Sequence, residues 1–188
     1  MAEYMKLDSE LSLDNVTMRV HRFVEKRMFT RALPTAADQP PQYIAEGKDV
    51  YQVEVSLKGG EVLLEPGALQ FHHGQIESSV ISHEGKGFFS RAIASAGTGE
   101  SAHATKFSGS GTVWCEPSRQ HFVLGMMESE NDAMLLDDRA FYACSAGIKL
   151  STHRHSTVSG VLSGNGLMQP KLTGRGVFAV ECPVPEYE

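Results

Sequence analysis

The chain has little of what usually decides a fold or an activity on sight. It holds only three cysteines and one tryptophan in 188 residues. Cys115, Cys144 and Cys182 are odd in number, far apart and set among apolar residues. That pattern suits buried, reduced thiols and excludes a disulfide framework as the source of stability. No apolar run approaches the ~18 residues that a membrane-crossing helix requires. The opening residues, MAEYMKLDSE, are acidic and polar. They lack both the basic start and apolar stretch of a secretory signal and the arginine bias of a mitochondrial presequence. A cytoplasmic location is therefore expected. Positive charge is scarce too, with 17 Lys and Arg against 23 Asp and Glu and a net charge of −6. Nucleic-acid binding through bulk positive charge is thereby disfavoured, although a local basic patch is still allowed.

What is present suffices for one ordinary domain. Apolar residues make up 41% and charged residues 21% of the chain, which excludes wholesale disorder. A chain of this length can bury roughly 70% of its unfolded surface without help from metals or disulfides. The first 42 residues differ from the rest and are treated as an N-terminal extension and linker. Val16, Val20, Phe23, Val24 and Met28 recur at helical spacing, and Asp14 stands where an N-cap would. A short helix is expected there, with Arg19, Arg22, Lys26, Arg27 and Arg31 on its other face. The β-branched Val16, Thr17 and Val20 speak against it and leave a strand from Thr17 to Val24 as the alternative. ALPTAADQPPQY then reads as a linker or an extended cover strand.

From Tyr43 the period changes to two. Tyr51, Val53, Val55 and Leu57 alternate with polar residues, the mark of a strand with one buried face. Lys58-Gly59-Gly60-Glu61 reads as a turn, with Val62 to Leu64 returning. Glu65-Pro66-Gly67-Ala68 fits a type II turn. Leu69 and Phe71 begin another strand that Gly74 breaks, and Ile76 to Ile81 resumes it. Residues 82–104 are irregular, with a short helix or apolar hairpin tip over 87–96 that carries Phe88, Phe89 and Ile93. Further strands are expected at 112–115, 121–126, 133–136, 141–144, 148–150, 167–172 and 177–182. Many short strands at regular spacing predict an all-β sandwich or barrel.

Two segments repeat. EVLLEPGALQFHHGQIE from Glu61 aligns without gaps to AMLLDDRAFYACSAGIK from Ala133. Leu63, Leu64, Glu65, Ala68 and Ile76 then meet Leu135, Leu136, Asp137, Ala140 and Ile148. KFSGSGTV from Lys106 likewise matches KLTGRGVF from Lys171, placing Gly109 on Gly174 and Gly111 on Gly176. Two collinear matches predict duplicated β-units, about 43–110 and 111–188, each too small to cover its own apolar face.

The run LKGGEVLLEPGALQFHHGQIE, with its Glu65-Pro66-Gly67-Ala68 turn and Gly74-Gln75-Ile76 step, resembles the altered-inheritance-of-mitochondria family. VSGVLSGNGLMQPKLTGRGVFAV, with Leu162-Ser163-Gly164 and Leu172-Thr173-Gly174, resembles the family's glycine-rich second unit. The similarity covers roughly residues 43–183. It implies a fold like the tryptophan RNA-binding attenuation protein, a β-sandwich or short double-stranded β-helix of several units. It also implies a third unit, which would make this chain a short variant. It implies no activity.

Candidate chemistry is thin. Eight histidines include His72-His73 and His153-Arg154-His155. A cupin-like metal site would need His72 or His73 to meet His153 and His155, but adjacent histidines on a strand face opposite ways and no carboxylate stands at ligand spacing. No metal or other cofactor is expected. Nucleophile elbows and phosphate loops are absent. Glu65 and Asp137, at equivalent repeat positions, read as turn residues rather than an acid–base pair. Trp114 reads as core. No aromatic and basic stripe of an RNA-binding sheet is visible. The expectation is a non-enzymatic, homo-oligomeric β scaffold or binding module. A metal-dependent enzyme built on the histidines is the first alternative. A membrane-peripheral adaptor using the basic N-terminal segment and the Phe88-Phe89 loop is the second.

Overall fold

A computed structural model describes residues 4–33, 40–81, 104–137, 139–154 and 168–183. Within them the chain is all-β and antiparallel, with no helix. In chain order the strands are β1 (Met5–Leu13), β2 (Val16–Phe23), β3 (Arg27–Leu33), β4 (Gln42–Lys48), β5 (Tyr51–Leu64), β6 (Leu69–Ile81) and β7 (Ala104–Cys115). They continue as β8 (His121–Met127), β9 (Ala133–Leu135), β10 (Phe141–Ser145), β11 (Ile148–Arg154), β12 (Met168–Gly174) and β13 (Gly176–Cys182). The main sheet runs β1-β2-β5-β10-β13-β8, and β5 also pairs with β7, which pairs with β6. β8 packs back near β1, so this sheet is nearly closed into a barrel. A three-stranded sheet, β11-β12-β9, and the β3-β4 hairpin complete the structure.

The N-terminal helix expected from the spacing of Val16, Val20, Phe23, Val24 and Met28 does not form. Val16, Val20 and Phe23 lie in β2, Val24 follows it, and Met28 is in β3. Val16, Met18 and Val20 alternate inward and are buried, while Val24 and Met28 are 49% and 67% exposed. Burying an aliphatic side chain yields roughly 1.5–3 kcal/mol, and the period-two face buries three of them at once against β5. The β-branched residues favour the same outcome. Asp14 caps no helix; it sits in the β1–β2 turn at φ 51° and pairs with Arg175 at 2.6 Å. The short helix expected over 87–96 lies outside the described residues.

Two expected strand breaks are bridged. Lys58–Glu61 does not reverse the chain, because β5 is one 14-residue strand with a bulge between Lys58 and Gly60. Gly59 takes φ 73° there, a value that costs glycine nothing. The bulge lets β5 change partner: Tyr51–Leu57 bond to β2, and Val62–Leu64 bond to β10. β7 spans both halves on the other edge. Gly74 likewise bends β6 at φ 100° without ending it.

Two cores result. Val16, Met18, Val20, Val53, Val55, Leu57, Val62, Leu64, Phe107 and Val113 fill the main sheet. Leu63, Phe141, Cys144, Ile148, Leu150, Leu172 and Phe178 join it to the three-stranded sheet. β10 serves both, with Tyr142 and Ala143 in the first core and Phe141 and Cys144 in the second, and every one of its residues is buried.

The matched segments make matched contacts. Ala68 N donates to Glu65 O at 3.1 Å, and Ala140 N to Asp137 O at 3.1 Å. Ile76 lies opposite Gly109, and Ile148 opposite Gly174. A Cβ on Gly109 would lie 2.1 Å from the Gln75 oxygen, and one on Gly174 2.4 Å from the oxygen of Gly147, the residue aligned with Gln75. A Cβ on Gly111 would strike His73 O and Ile76, and one on Gly176 the aligned Ser145 and Ile148.

These close approaches set an expected hierarchy. Gly109→Ala and Gly174→Ala each lose about 3 kcal/mol, from a forbidden φ and from overlap with backbone. Gly67→Ala, at φ +84° with nothing within 4 Å of the new atom, loses only about 1 kcal/mol. Urea titrations of the three variants measure the ranking, and equal losses would contradict it.

Candidate functional site

The outward face of the main sheet carries the polar side chains that alternate with the core residues. Five strands align one row there: Glu10 on β1, Arg19 on β2, Glu54 on β5, Trp114 on β7 and Phe71 on β6 are successive cross-strand neighbours. The next row is Ser12, Thr17, Ser56, Thr112 and His73. Arg19 bonds Glu10, and its Nη1 donates to Glu54 Oε1 at 2.9 Å and to Ser56 Oγ at 3.0 Å. His21 Nε2 is 2.6 Å from Glu54 Oε2. The His21 hydrogen bond, aided by the Arg19 charge, holds the Glu54 carboxyl below its ordinary range against the opposing effect of burial. Trp114 is not a core residue. Val113 and Cys115 point inward, so alternation turns Trp114 out, half-buried, with His21 at 5.2 Å and Phe71 at 6.1 Å between ring centres.

The row ends at β6, the last strand of the sheet on this side among the described residues. β6 is 13 residues long, and β7 is its only strand partner among the described residues. Phe71 and Val80 on it are 49% and 61% exposed. Among the described residues no strand pairs with its second edge, and such edges are the usual route by which one sheet recruits another strand.

A second cluster surrounds the turn after β5. Glu65 is partly buried, and burial followed by the charge of Glu181 on β13 pushes its carboxyl up to about 7. Glu181 accepts from the Ser118 hydroxyl, and Tyr142 Oη donates to Glu116 O at 2.9 Å. Asp137, aligned with Glu65 in the matched segments, lies at the β9–β10 turn, where its carbonyl accepts from Ala140 N. The partner of Glu65 is 116 residues away in sequence (181 − 65), and no motif signals it.

The histidines do not gather. His72 and His73 are exposed on β6, opposite Val113 and Thr112, and so face opposite sides of the sheet. His153 is on β11 in the three-stranded sheet, and His155 lies outside the described residues. No group of three or more His, Cys, Asp or Glu side chains able to hold a metal occurs among the described residues. Cys115 and Cys144 are buried and Cys182 partly so, with no disulfide. Burial pushes both buried thiols up to about 12. The basic N-terminal residues meet acids: Arg22 and Lys26 lie 3.6 and 3.8 Å from Asp49, and Arg31 lies 3.7 Å from Glu46. Phe88 and Phe89 lie outside the described residues. No helix in these residues is long and apolar enough to cross a membrane.

The family model for mitochondrial biogenesis AIM24 matches residues 43–186. The chain belongs to that family. The match begins after β3, so the family pattern starts at the β3-β4 hairpin's second strand, and β1 and β2 precede it. No curated protein matches the chain significantly. Among solved structures, an X-ray structure of a Streptococcus pyogenes protein is similar at TM-score 0.51 and 10% identity, covering 94% of this chain and 92% of that one. At that identity the likeness concerns the fold alone.

The two carboxyl groups give opposite pH behaviour. Glu65 is raised when folded, so its contribution is fully present below the ordinary carboxyl range and is lost as pH rises through about 7. Glu65→Gln should remove up to about 3 kcal/mol of that fall between pH 5 and pH 8. Glu54 is lowered, so its contribution holds at neutral pH and disappears only in acid. Glu54→Gln should cost about 1–2 kcal/mol at pH 7, with the difference from the unmodified chain closing below the usual carboxyl range. Urea midpoints across pH 3 to 8 measure both. A pH-independent difference for either variant would contradict the assignment.

Proposed function

We propose that the chain is a non-enzymatic β scaffold that joins copies of itself through the open edge of β6. The single observation carrying this reading is the long strand that, among the described residues, pairs on one side only and bears the exposed Phe71 and Val80. Natural sheets blunt such edges with proline, bulges or short strands. β6 has no proline, its bulge is confined to the first residues, between Leu69 and Phe71, and from Phe71 to Ile81 the pairing to β7 is continuous through Gly74. Pairing of two β6 edges across a two-fold axis would satisfy the free backbone groups and bring the Trp114–Phe71 rows of two copies side by side.

The non-enzymatic part rests on how the reactive groups are held. The buried thiols are far from thiolate formation, and the Glu54–His21–Arg19 group is closed on itself. Three cysteines without a disulfide accord with a reducing, cytoplasmic setting. The paired contacts around Gly109 and Gly174 support a duplication of one β-unit, as in the fold of the tryptophan RNA-binding attenuation protein.

Light scattering coupled to size exclusion tests the reading. A concentration-dependent assembly larger than the 20.5 kDa chain is expected at micromolar concentration. Proline at Ser78 and, separately, at Ser79 removes one amide from each edge of β6 in turn. The variant that loses the outward amide should keep its circular dichroism and associate at least tenfold more weakly. A strict monomer, or association indifferent to both substitutions, would overturn the proposal.

A further inference from the structure

The β3-β4 hairpin and the β7–β8 turn enclose a two-part cleft that none of the features above uses. One part, about 440 Å³, is lined by Phe23, Phe29, Val50 and Pro117 together with Arg27 and Arg119. The other, about 610 Å³, adds Lys48, Gln120 and His121, and the two parts share Ser118 and Arg119. Both volumes lie within the few-hundred-to-thousand Å³ range of small-molecule sites.

The arginines make this more than a crevice. Arg27 lies over the Phe23 ring at 5.7 Å, and Arg119 over the Phe29 ring at 4.7 Å. Each guanidinium is thus fixed on a phenyl face by a cation–π contact, leaving its in-plane N–H groups for another partner. Neither has a carboxylate partner among the described residues, as is also true of Arg139, whereas Arg19, Arg22, Arg31 and Arg175 do. In a chain of net charge −6, two such cations thus line one pocket alongside apolar side chains. The nearest acid of the cleft, Asp49, is already shared by Arg22 and Lys26.

We propose that this cleft binds a small amphiphilic carboxylate, its oxyanion held at Arg119 and Arg27 and its apolar body between Phe23, Phe29, Val50 and Pro117. A planar carboxylate matches the guanidinium fork in a bidentate fashion. The apolar walls select against small hydrophilic anions. Asp49 on the polar side disfavours a second negative charge, which separates a carboxylate from a phosphomonoester. The site is independent of the β6 edge, so it stands or falls apart from self-association.

The test is isothermal titration of the full chain with decanoate as the probe, below its micelle concentration. Saturable one-to-one binding is expected, tightening on the order of fourfold per methylene from octanoate to decanoate. Decanol and decyl phosphate should each bind at least tenfold more weakly. Arg119 is exposed, so Arg119→Gln should fold normally and bind at least tenfold more weakly, and Arg27→Gln should do the same. Phe29→Leu should lose affinity while retaining the preference for decanoate over decanol. Absence of saturable binding to millimolar decanoate would overturn the proposal. So would affinity unchanged in Arg119→Gln and Arg27→Gln, equal binding of decanol, or uptake only onto lipid vesicles.

Discussion

The structure depends on one strand that bends without breaking. β5 runs from Tyr51 to Leu64 with its bulge at Lys58–Gly60. It holds β2 with its first half, β10 with its second, and β7 along both. Val53, Val55, Leu57, Val62 and Leu64 go to one core, and Leu63 to the other. The bulge shifts the alternation by one residue, so odd positions before it and even positions after it face the same core while Leu63 turns to the other. The bulge changes direction and twist at the cost of one residue's pairing. Everything that carries function in this account is placed by that strand: Glu54 by its first half, Glu65 by its end, and β6 through β7.

Charge is distributed with the same economy. Three of the N-terminal arginines, and Lys26, face acids of the hairpin or of β1 and β5. Exposed ion pairs of this kind contribute little to stability individually. Their effect is to neutralise most of the basic segment, while Arg27 of that segment is left with Arg119 at the hairpin cleft. The open β6 edge and that cleft lie on different elements, so a member of the mitochondrial biogenesis AIM24 family could associate and bind a ligand without one event obstructing the other.

Much of this was legible in the sequence, for physical reasons that can be named. The all-β class followed from period-two alternation, and in the two matched segments Gly109 and Gly174 lie against aligned backbone oxygens. The N-terminal segment misled because Val16 and Val20 satisfy a period of four as well as of two, and the buried Met18 between them is what distinguishes the two. Trp114 was read as core by its size, although Val113 and Cys115 on either side already fixed its outward direction. Glycine pairs were read as turns at Gly59-Gly60, since positive φ serves bulges and turns alike. The Glu65–Glu181 and Arg119–Phe29 contacts join residues remote in sequence, and only the folded sheet brings them together.

The central claim is that the free side of β6 is where copies meet. Amide hydrogen exchange, followed residue by residue at concentrations below and above the association midpoint, tests it most directly. Backbone amides bonded to β7 should exchange slowly at every concentration. The alternate amides of β6, which point away from β7, should exchange fast in the dilute protein and become protected as it assembles. Assembly that leaves the exchange of those alternate amides unchanged would contradict the account.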